Sequence, residues 1–277
     1  MGARPKIAII GAGLSGALAA YHLSSIADVV VFEKSRGVGG RLARAAIDGR
    51  SFNLGAQVIP DHPIIPQDLL LSPVHGLWLS YPINQAIHLL LDKGSIQVET
   101  NTLVRDVSIH ENEVLIETSD KTNTFNHVVF AMPAIQAKKL CHKIIPNLDC
   151  DRVEYQSVVT VFLTALSLKL KEEAYEISWI DGLWRALVLI NTQEYFDIDE
   201  VSREKLFEKK YEVKLKKIHF WRYGFVKTKK ELNQKFFNEN KIAFVGDWVT
   251  SGPGFYGVFE SVQFCVEKFY ELYSINS

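Results

Sequence analysis

The sequence is poor in cysteine, in long apolar runs and in net charge. Its 277 residues include three cysteines, Cys141, Cys150 and Cys265, too few and too scattered for a disulfide framework or a paired-cysteine metal site. No apolar stretch approaches the roughly 18 residues of a membrane-spanning helix. The net charge of −1 provides no basic field for nucleic acid or an anionic membrane. We therefore expect buried thiols, a cytoplasmic protein, and neither a nucleic acid nor a membrane as partner.

The chain also lacks the common motifs of side-chain catalysis. It contains no HExxH or GxSxG sequence and no persuasive cluster of metal-ligating residues. We accordingly expect no metal ion, and the sequence identifies no catalytic side chain. The hydrophobic content of 47% and charged content of 23% suffice for one large or two modest domains with a substantial core.

What the chain does have is a glycine turn between a strand and a helix. Residues 6–10, KIAII, form a β-branched apolar run that stops at GAGLSG, residues 11–16, and a helical apolar pattern follows. A second apolar run ends at Glu33, about the twenty residues away at which a carboxylate binds the ribose hydroxyls of a dinucleotide. Helix amides after the turn would hold the phosphates. The residues predicted to contact a dinucleotide are Gly11, Gly13, Leu14, Ser15, Gly16 and Glu33.

A second glycine turn favours FAD over NAD as the bound dinucleotide. Residues 33–34 (EK), 39–41 (GGR) and 52–57 (FNLGAQ) together resemble the FAD-dependent amine oxidase superfamily, and within it the renalase-like flavoproteins. The resemblance implies that Gly40 approaches the FAD pyrophosphate and that Arg41 adds positive charge there. It also implies that the turn of Gly55, Ala56 and Gln57 lies beside the isoalloxazine. At Arg44 the chain departs from the Ser or Thr usual in the family.

Near the other end of the chain, the apolar run 241–245 is followed by a Gly-Asp pair. This segment resembles the closing element of the superfamily, which implies that Asp247 meets the ribityl or pyrophosphate part of FAD. The amides of a helix N-terminus at Gly257 and Val258 would then face the flavin ring. The resemblance adds the following residues to the FAD site: Lys34, Gly40, Arg41, Gly55, Ala56, Gln57, Val104, Gly246, Asp247, Gly257 and Val258.

The resemblance implies an α/β fold with two domains. One is a Rossmann-like FAD-binding domain of the GR2 type, to which we assign residues 1–59, 76–146 and 238–277. The other is a reduced α+β substrate domain, to which we assign residues 60–75 and 147–237. Residues 60–75 replace a longer excursion in related proteins, which indicates that part of the substrate domain has been lost.

Aromatic residues are the candidates for a substrate wall. Residues 219–223, HFWRY, resemble a strand that approaches the flavin in this family. Strand alternation places Trp221 and Tyr223 on one face and Arg222 on the other. Trp179 and Trp184 are either core residues or part of the same wall.

The leading hypothesis is a renalase-like, FAD-dependent oxidoreductase. Its small substrate, a dihydronicotinamide or an amine, would pass a hydride to the flavin, and oxygen would be the acceptor. One alternative is a catalytically degenerate flavin-binding protein that serves as a partner-binding subunit, in keeping with the shortened substrate region. Another is an NAD-dependent dehydrogenase, which would leave the second glycine turn and the Gly-Asp pair without a role.

Overall fold

The computed structural model describes residues 4–66, 73–74, 77–78, 83–151, 153–227, 231–232, 235–237, 241–252 and 254–274. Its strands are β1 (Lys6–Ile10), β2 (Asp28–Phe32), β3 (Arg44–Ile47), β4 (Arg50–Asn53), β5 (Ile59–Pro60), β6 (Pro73–Val74), β7 (Leu77–Trp78), β8 (Gln97–Glu99), β9 (Asp106–His110), β10 (Glu113–Glu117), β11 (Thr122–Phe125), β12 (His127–Phe130), β13 (Tyr155–Leu163), β14 (Glu176–Ile180), β15 (Leu183–Ile190), β16 (Leu215–Val226), β17 (Phe236–Phe237) and β18 (Ile242–Phe244). The helices are α1 (Leu14–Leu23), α2 (Gln85–Lys93), α3 (Ala134–Cys141), α4 (Leu168–Glu173), α5 (Thr192–Phe196), α6 (Glu200–Tyr211) and α7 (Phe255–Ser274).

A six-stranded sheet forms the larger layer, in the order β17-β18-β12-β1-β2-β8. All its neighbouring strands are parallel except β17, which runs antiparallel to β18. Helices α1, α2 and α7 cover one face, while α3 and the β9–β11 sheet cover the other. Burial on both faces explains why β1 and β2 are continuous apolar runs rather than alternating ones. The predicted Rossmann-like α/β fold is confirmed.

A four-stranded antiparallel sheet, ordered β14-β15-β13-β16, forms the second layer. One face is covered by α4, α5 and α6, and its core includes Val161, Val188 and Phe207. The other face packs Phe162 against Phe52 of the β3–β4 hairpin. This second face turns toward the parallel sheet, so we call it the inner face.

Residues 60–66 lie elsewhere than expected. Ile64 and Ile65 are buried in the core that α1, α2 and α7 form against the parallel sheet, and the His62 ring stacks on Phe259 of α7. The assignment of 60–75 to the substrate domain is therefore corrected for 60–66, because these apolar side chains bury themselves on the nucleotide side. The boundary at 238 is also shifted, since β17 already belongs to the six-stranded sheet.

The three cysteines are free and buried, as expected. Burial raises the pKa of the Cys141 thiol to about 12 and also raises that of Cys265. Within the described ranges, no helix has both the length and the apolar character needed to cross a membrane.

Candidate functional site

The first glycine turn connects β1 to α1. Gly11 has φ of 112°, and its N–H donates to the carbonyl of Phe32 on β2 at 2.8 Å. A Cβ on Gly16 would lie 1.9 Å from the Gly11 carbonyl oxygen, so glycine is required for this helix to begin so close to the strand. Leu14 and Ser15 are in the first turn of α1, where backbone N–H groups have no partner inside the helix. Such a helix terminus favours a phosphate.

The second glycine turn lies directly against the first. The Gly39 N–H donates to the Ala12 carbonyl at 2.8 Å, and a Cβ on Gly40 would lie 3.2 Å from the Cα of Gly13. Gly40 also has a positive φ of 52°. Two stretches of bare backbone therefore approach each other at the N-terminus of α1, and they form a cradle that side chains would fill.

Glu33 is buried at the end of β2 and binds backbone amides. Its carboxylate accepts the N–H of Ala12 at 3.0 Å and the N–H of Ser35 at 2.8 Å. A carboxylate offers about four lone-pair sites, so two remain for hydroxyl donors. The Thr102 N–H donates to the Glu33 carbonyl at 2.9 Å, which brings the segment leading to buried Val104 alongside. Lys34 is exposed.

Arg41 and Asp247 form a two-pronged ion pair across the chain. The distances from Nη1 to Oδ2 and from Nη2 to Oδ1 are 2.6 and 2.8 Å, between residues 206 positions apart. The Asp247 side chain is 5% exposed, and that of Arg41 is 42% exposed. Burial acts to lower the pKa of Arg41, but the Asp247 carboxylate raises it overall, so the guanidinium stays charged. The sequence predicted a separate cofactor contact for each residue, whereas the structure joins them to each other.

The closing element starts at Gly246, whose N–H donates to Ser261 Oγ at 2.9 Å. Helix α7 begins at Phe255, two residues earlier than predicted. The Val258 N–H therefore donates to the Gly254 carbonyl inside the helix, at 3.2 Å, and the prediction that it faces the flavin is corrected. Gly257 remains in the first turn. A Cβ there would lie 3.2 Å from the Cα of Asp247, so glycine lets helix and ion pair meet.

The turn at Gly55 lies where these parts converge. Its carbonyl accepts from Gln57 Nε2 at 2.9 Å and from Arg185 Nη2 at 2.7 Å. The Ala56 N–H donates to the Arg41 carbonyl at 3.2 Å. A Cβ on Gly55 would lie 1.9 Å from that same carbonyl oxygen, and 3.5 Å from the Trp221 ring. The turn is thus hydrogen-bonded to the Arg41 backbone on one side and, through Arg185, to the inner face of the four-stranded sheet on the other.

Trp221 lies on this inner face, half-buried, and its Nε1 donates to Thr160 Oγ1 at 3.0 Å. The Arg222 guanidinium lies 4.7 Å from the Phe196 ring, on the helix-covered side, as strand alternation predicts. The Tyr223 ring contacts that of Tyr155 at 5.1 Å. Burial raises the pKa of Tyr155, and its hydroxyl accepts the Ala134 N–H at 2.8 Å.

Trp179 and Trp184 lie away from the Gly55 turn. Trp184 directly precedes Arg185 on β15, and Arg185 reaches the Gly55 turn from the inner face. Because neighbouring residues of a strand point to opposite faces, Trp184 lies on the helix-covered face, where it packs against the core formed with α4, α5 and α6. Trp179 contacts Trp184 at 4.9 Å and is 55% exposed. The structure therefore does not bring these two tryptophans to the Gly55 turn, beside which Trp221 lies.

Three further residues near the turn were not singled out from the sequence. They are Tyr155, Arg185 and His219. Arg185 had one detectable signal, a lone charge within the apolar strand LWRALVLI. The His219 ring lies 4.1 Å from that of Trp221, and burial, followed by nearby Lys217, lowers its pKa. Arg44, the departure from the family, donates to Ser51 at 3.3 Å. Over the described residues, no group of three or more His, Cys, Asp or Glu could hold a metal.

We compared the sequence and the fold with those of known proteins. The family model of the NAD(P)-binding Rossmann-like domain matches residues 9–67. The chain is 36% identical over 117 residues to the lysine-specific histone demethylase 1B homolog of Caenorhabditis elegans, covering 41% of this chain and 14% of that protein. It is 46% identical over 81 residues to prenylcysteine oxidase 1 of Bos taurus, covering 26% and 15%. The matches thus span about a seventh of the length of these curated relatives.

A solved structure shows the fold over almost the whole chain. The CLA-producing fatty acid isomerase from P. acnes superposes with a TM-score of 0.70 and 12% sequence identity, covering 98% of this chain and 100% of that one. The comparisons thus show a Rossmann-like α/β fold, with the match to the family model confined to the nucleotide-binding segment.

Proposed function

We propose that this protein is a renalase-like, FAD-dependent oxidoreductase, in which a small flat substrate, a dihydronicotinamide or an amine, is oxidised and oxygen is the final acceptor. The observation that carries the proposal is the convergence at Gly55. The Arg41 backbone, which follows the second glycine turn, and the Trp221 ring of the second sheet both lie against this turn, and the Arg41 side chain binds the distant Asp247. A plain NAD-dependent dehydrogenase would not account for the second glycine turn or for the Arg41–Asp247 pair.

The backbone cradle and the buried carboxylate fit FAD. Gly11, Gly13 and the first turn of α1 would hold the pyrophosphate, with Gly40 opposite. Glu33 would accept the hydroxyls of the adenosine ribose through its remaining lone pairs. Arg41 would add positive charge near the phosphates, and Asp247 would orient Arg41 and accept a ribityl hydroxyl. When bound, the flavin supplies the hydride acceptor.

The substrate wall consists of Trp221 and Tyr223. The hydrogen bond from Trp221 Nε1 to Thr160 fixes the indole beside the Gly55 turn. A flat substrate gains about 0.5–1.5 kcal/mol from such a ring beyond the area that it buries. The inner face also excludes water from the reacting atoms, and orientation lowers the barrier without a side-chain nucleophile.

One observation favours a second candidate, a flavin-binding protein without turnover that serves as a partner-binding subunit. Residues 60–66 pack on the nucleotide side and add nothing to the four-stranded sheet. The two candidates share the cofactor and differ in whether a substrate reduces it.

The experiment is a spectrum followed by anaerobic reduction. The purified protein should carry yellow flavin that acid precipitation releases, since Cys265 is buried and the turn before α7 contains no cysteine. Trp221→Ala should slow reduction by a dihydronicotinamide at least tenfold, about 1.4 kcal/mol of barrier, with FAD content unchanged. Trp179→Ala is the matched control and should match the wild type.

Each outcome selects one candidate. A colourless protein that takes up no FAD would contradict the proposal. Flavin that neither dihydronicotinamides nor amines reduce would favour the subunit without turnover. Equal reduction rates in the two tryptophan variants would remove Trp221 from the substrate wall.

A further inference from the structure

Arg185 is a charged residue at an unusual depth. Its side chain is 1% exposed and lies on the inner face beside Phe162 and Leu183. Nη1 donates to Glu176 Oε1 at 2.6 Å, and Nη2 donates to the Gly55 carbonyl at 2.7 Å. Burying a cation costs several kcal/mol even when it is paired. An apolar side chain would be the simpler way to join two layers here.

Part of this guanidinium is also left without a bond. Among the described residues, Arg185 Nε is buried and has no hydrogen-bond partner, and the same holds for Ser178 Oγ. The two residues are direct cross-strand partners in the β14–β15 pairing. A buried polar atom without a partner costs about 1–3 kcal/mol. Packing alone therefore does not explain why an arginine occupies this position.

The bonds that Arg185 does make converge on a single peptide group. Its Nη2 fixes the carbonyl of the peptide between Gly55 and Ala56, while the N–H of that peptide donates to the Arg41 carbonyl. The Arg41 side chain is in turn bound to Asp247. The peptide is thus held at both ends, on one side by the second sheet and on the other by the backbone of Arg41.

We propose that Arg185 is a positioning residue, which fixes the Gly55–Ala56 peptide against the flavin and places a buried positive charge behind it. The inference rests on the proposed function, because an effect of this charge on a reduction potential requires a bound flavin. A cation near the ring favours its more negative reduced form and so raises the reduction potential. Gln57 Nε2 alone, the other donor to the Gly55 carbonyl, brings no charge.

Three variants distinguish this positioning role from a purely structural link between the two layers. Arg185→Met removes charge and hydrogen bond but keeps an apolar stem, and such replacement of a buried ion is often tolerated. Arg185→Lys keeps the charge and loses the planar fork. Arg203→Met is the matched control. It removes an arginine of the same layer, which rests on Phe196 and Phe220 beside the helix-covered face.

Two readouts are measured on each variant, neither of them turnover. The first is amide hydrogen exchange over residues 54–57 in the flavin-free protein, which reports on the turn itself. The second is the midpoint potential of the bound flavin. For Arg185→Met we expect at least tenfold faster exchange, and a potential lower by about 30 mV, which is tenfold in the equilibrium constant of a two-electron couple. Arg185→Lys should restore most of the potential and little of the protection. Arg203→Met should change neither.

The failures are distinguishable. A wild type that takes up no flavin overturns the proposed function, and this inference with it, before any variant is compared. Normal flavin binding, with Arg185→Met indistinguishable from Arg203→Met in both readouts, overturns this inference alone. A lowered melting temperature without a change in potential reduces Arg185 to a structural tie and equally overturns it.

Discussion

The two sheets differ in how they satisfy buried polar groups. At the edge of the parallel sheet, backbone groups supply the hydrogen bonds, since both oxygens of Glu33 accept main-chain N–H groups and the two glycine turns are hydrogen-bonded to each other. On the inner face of the four-stranded sheet, side chains supply them, and some buried polar atoms are left without a partner. Arg185 and Ser178 each retain a buried polar atom with no partner among the described residues.

This difference indicates which amino-acid substitutions each layer should tolerate. An edge built from backbone depends on the absence of side chains, so adding a single carbon should damage it. A face built from side chains depends on their charge and solvation, so it should respond to substitution of a functional group and to pH. Three predictions test this contrast.

The largest effect is expected from adding a methyl group at Gly16. The new Cβ would lie 1.9 Å from the Gly11 carbonyl oxygen, a backbone atom that cannot rotate away. We expect Gly16→Ala to cost about 3 kcal/mol, the upper range for overpacking, and to lower the melting temperature by roughly 6–12 °C. Gly37→Ala is the control, because a Cβ there meets nothing within 4 Å. Equal melting curves would refute the backbone argument.

An intermediate effect is expected at Glu33. Glu33→Ala leaves the buried Ala12 amide and the partly buried Ser35 amide without their acceptor, and it removes the proposed ribose ligand. Hydrogen bonds to charged groups contribute roughly 1.5–3 kcal/mol each, so we expect FAD affinity to fall at least tenfold. Glu204→Ala on exposed α6 should leave it unchanged. The check is the FAD dissociation constant by fluorescence, and identical constants would contradict the ribose assignment.

The smallest effect is a pH dependence at His219 on the inner face. Burial lowers the pKa of this imidazole, Lys217 adds to the effect, and Glu200 opposes it. The unfolded chain binds a proton near pH 6.5. Stability from this residue is therefore complete above that pH and is lost as pH falls toward the lowered folded value.

His219→Gln should accordingly lose less stability than the wild type between pH 7 and pH 5, because the glutamine side chain binds no proton in either state. Urea unfolding at several pH values measures it. His88→Gln, at an exposed position of α2, is the control and should follow the wild type. Parallel curves for all three proteins would show that His219 is solvated like a surface residue.

The nucleotide edge could be predicted from the sequence because its signals are local. A strand, a glycine turn and a helix lie within residues 6–23, and the steric requirement for Gly16 lies within that turn. The alternation that separates Arg222 from Trp221 is equally local. Those features require no knowledge of which distant segments meet.

The remaining features depend on long-range contacts. Arg185 finds Gly55 across 130 positions, and Arg41 finds Asp247 across 206, so no spacing rule indicates either pair. The start of α7 was predicted two residues too late, because Phe255 and Tyr256 carry no sequence signal of a helix N-terminus. Residues 60–66 were misassigned because their prolines suggested a connector, while Ile64 and Ile65 found a hydrophobic core.

The position of β18 also bears on the order in which the protein is built during synthesis. This strand, residues 242–244, pairs with β12 inside the parallel sheet, and α7 packs on α1. Until the ribosome has released residues 242–274, β12 has no neighbour on that side, and Arg41 has no Asp247. A nascent chain can complete the four-stranded sheet earlier, since β13 to β16 end at residue 226. Because the closure of a long loop slows folding, the proposed cofactor site forms only after residues 242–274 have joined the parallel sheet.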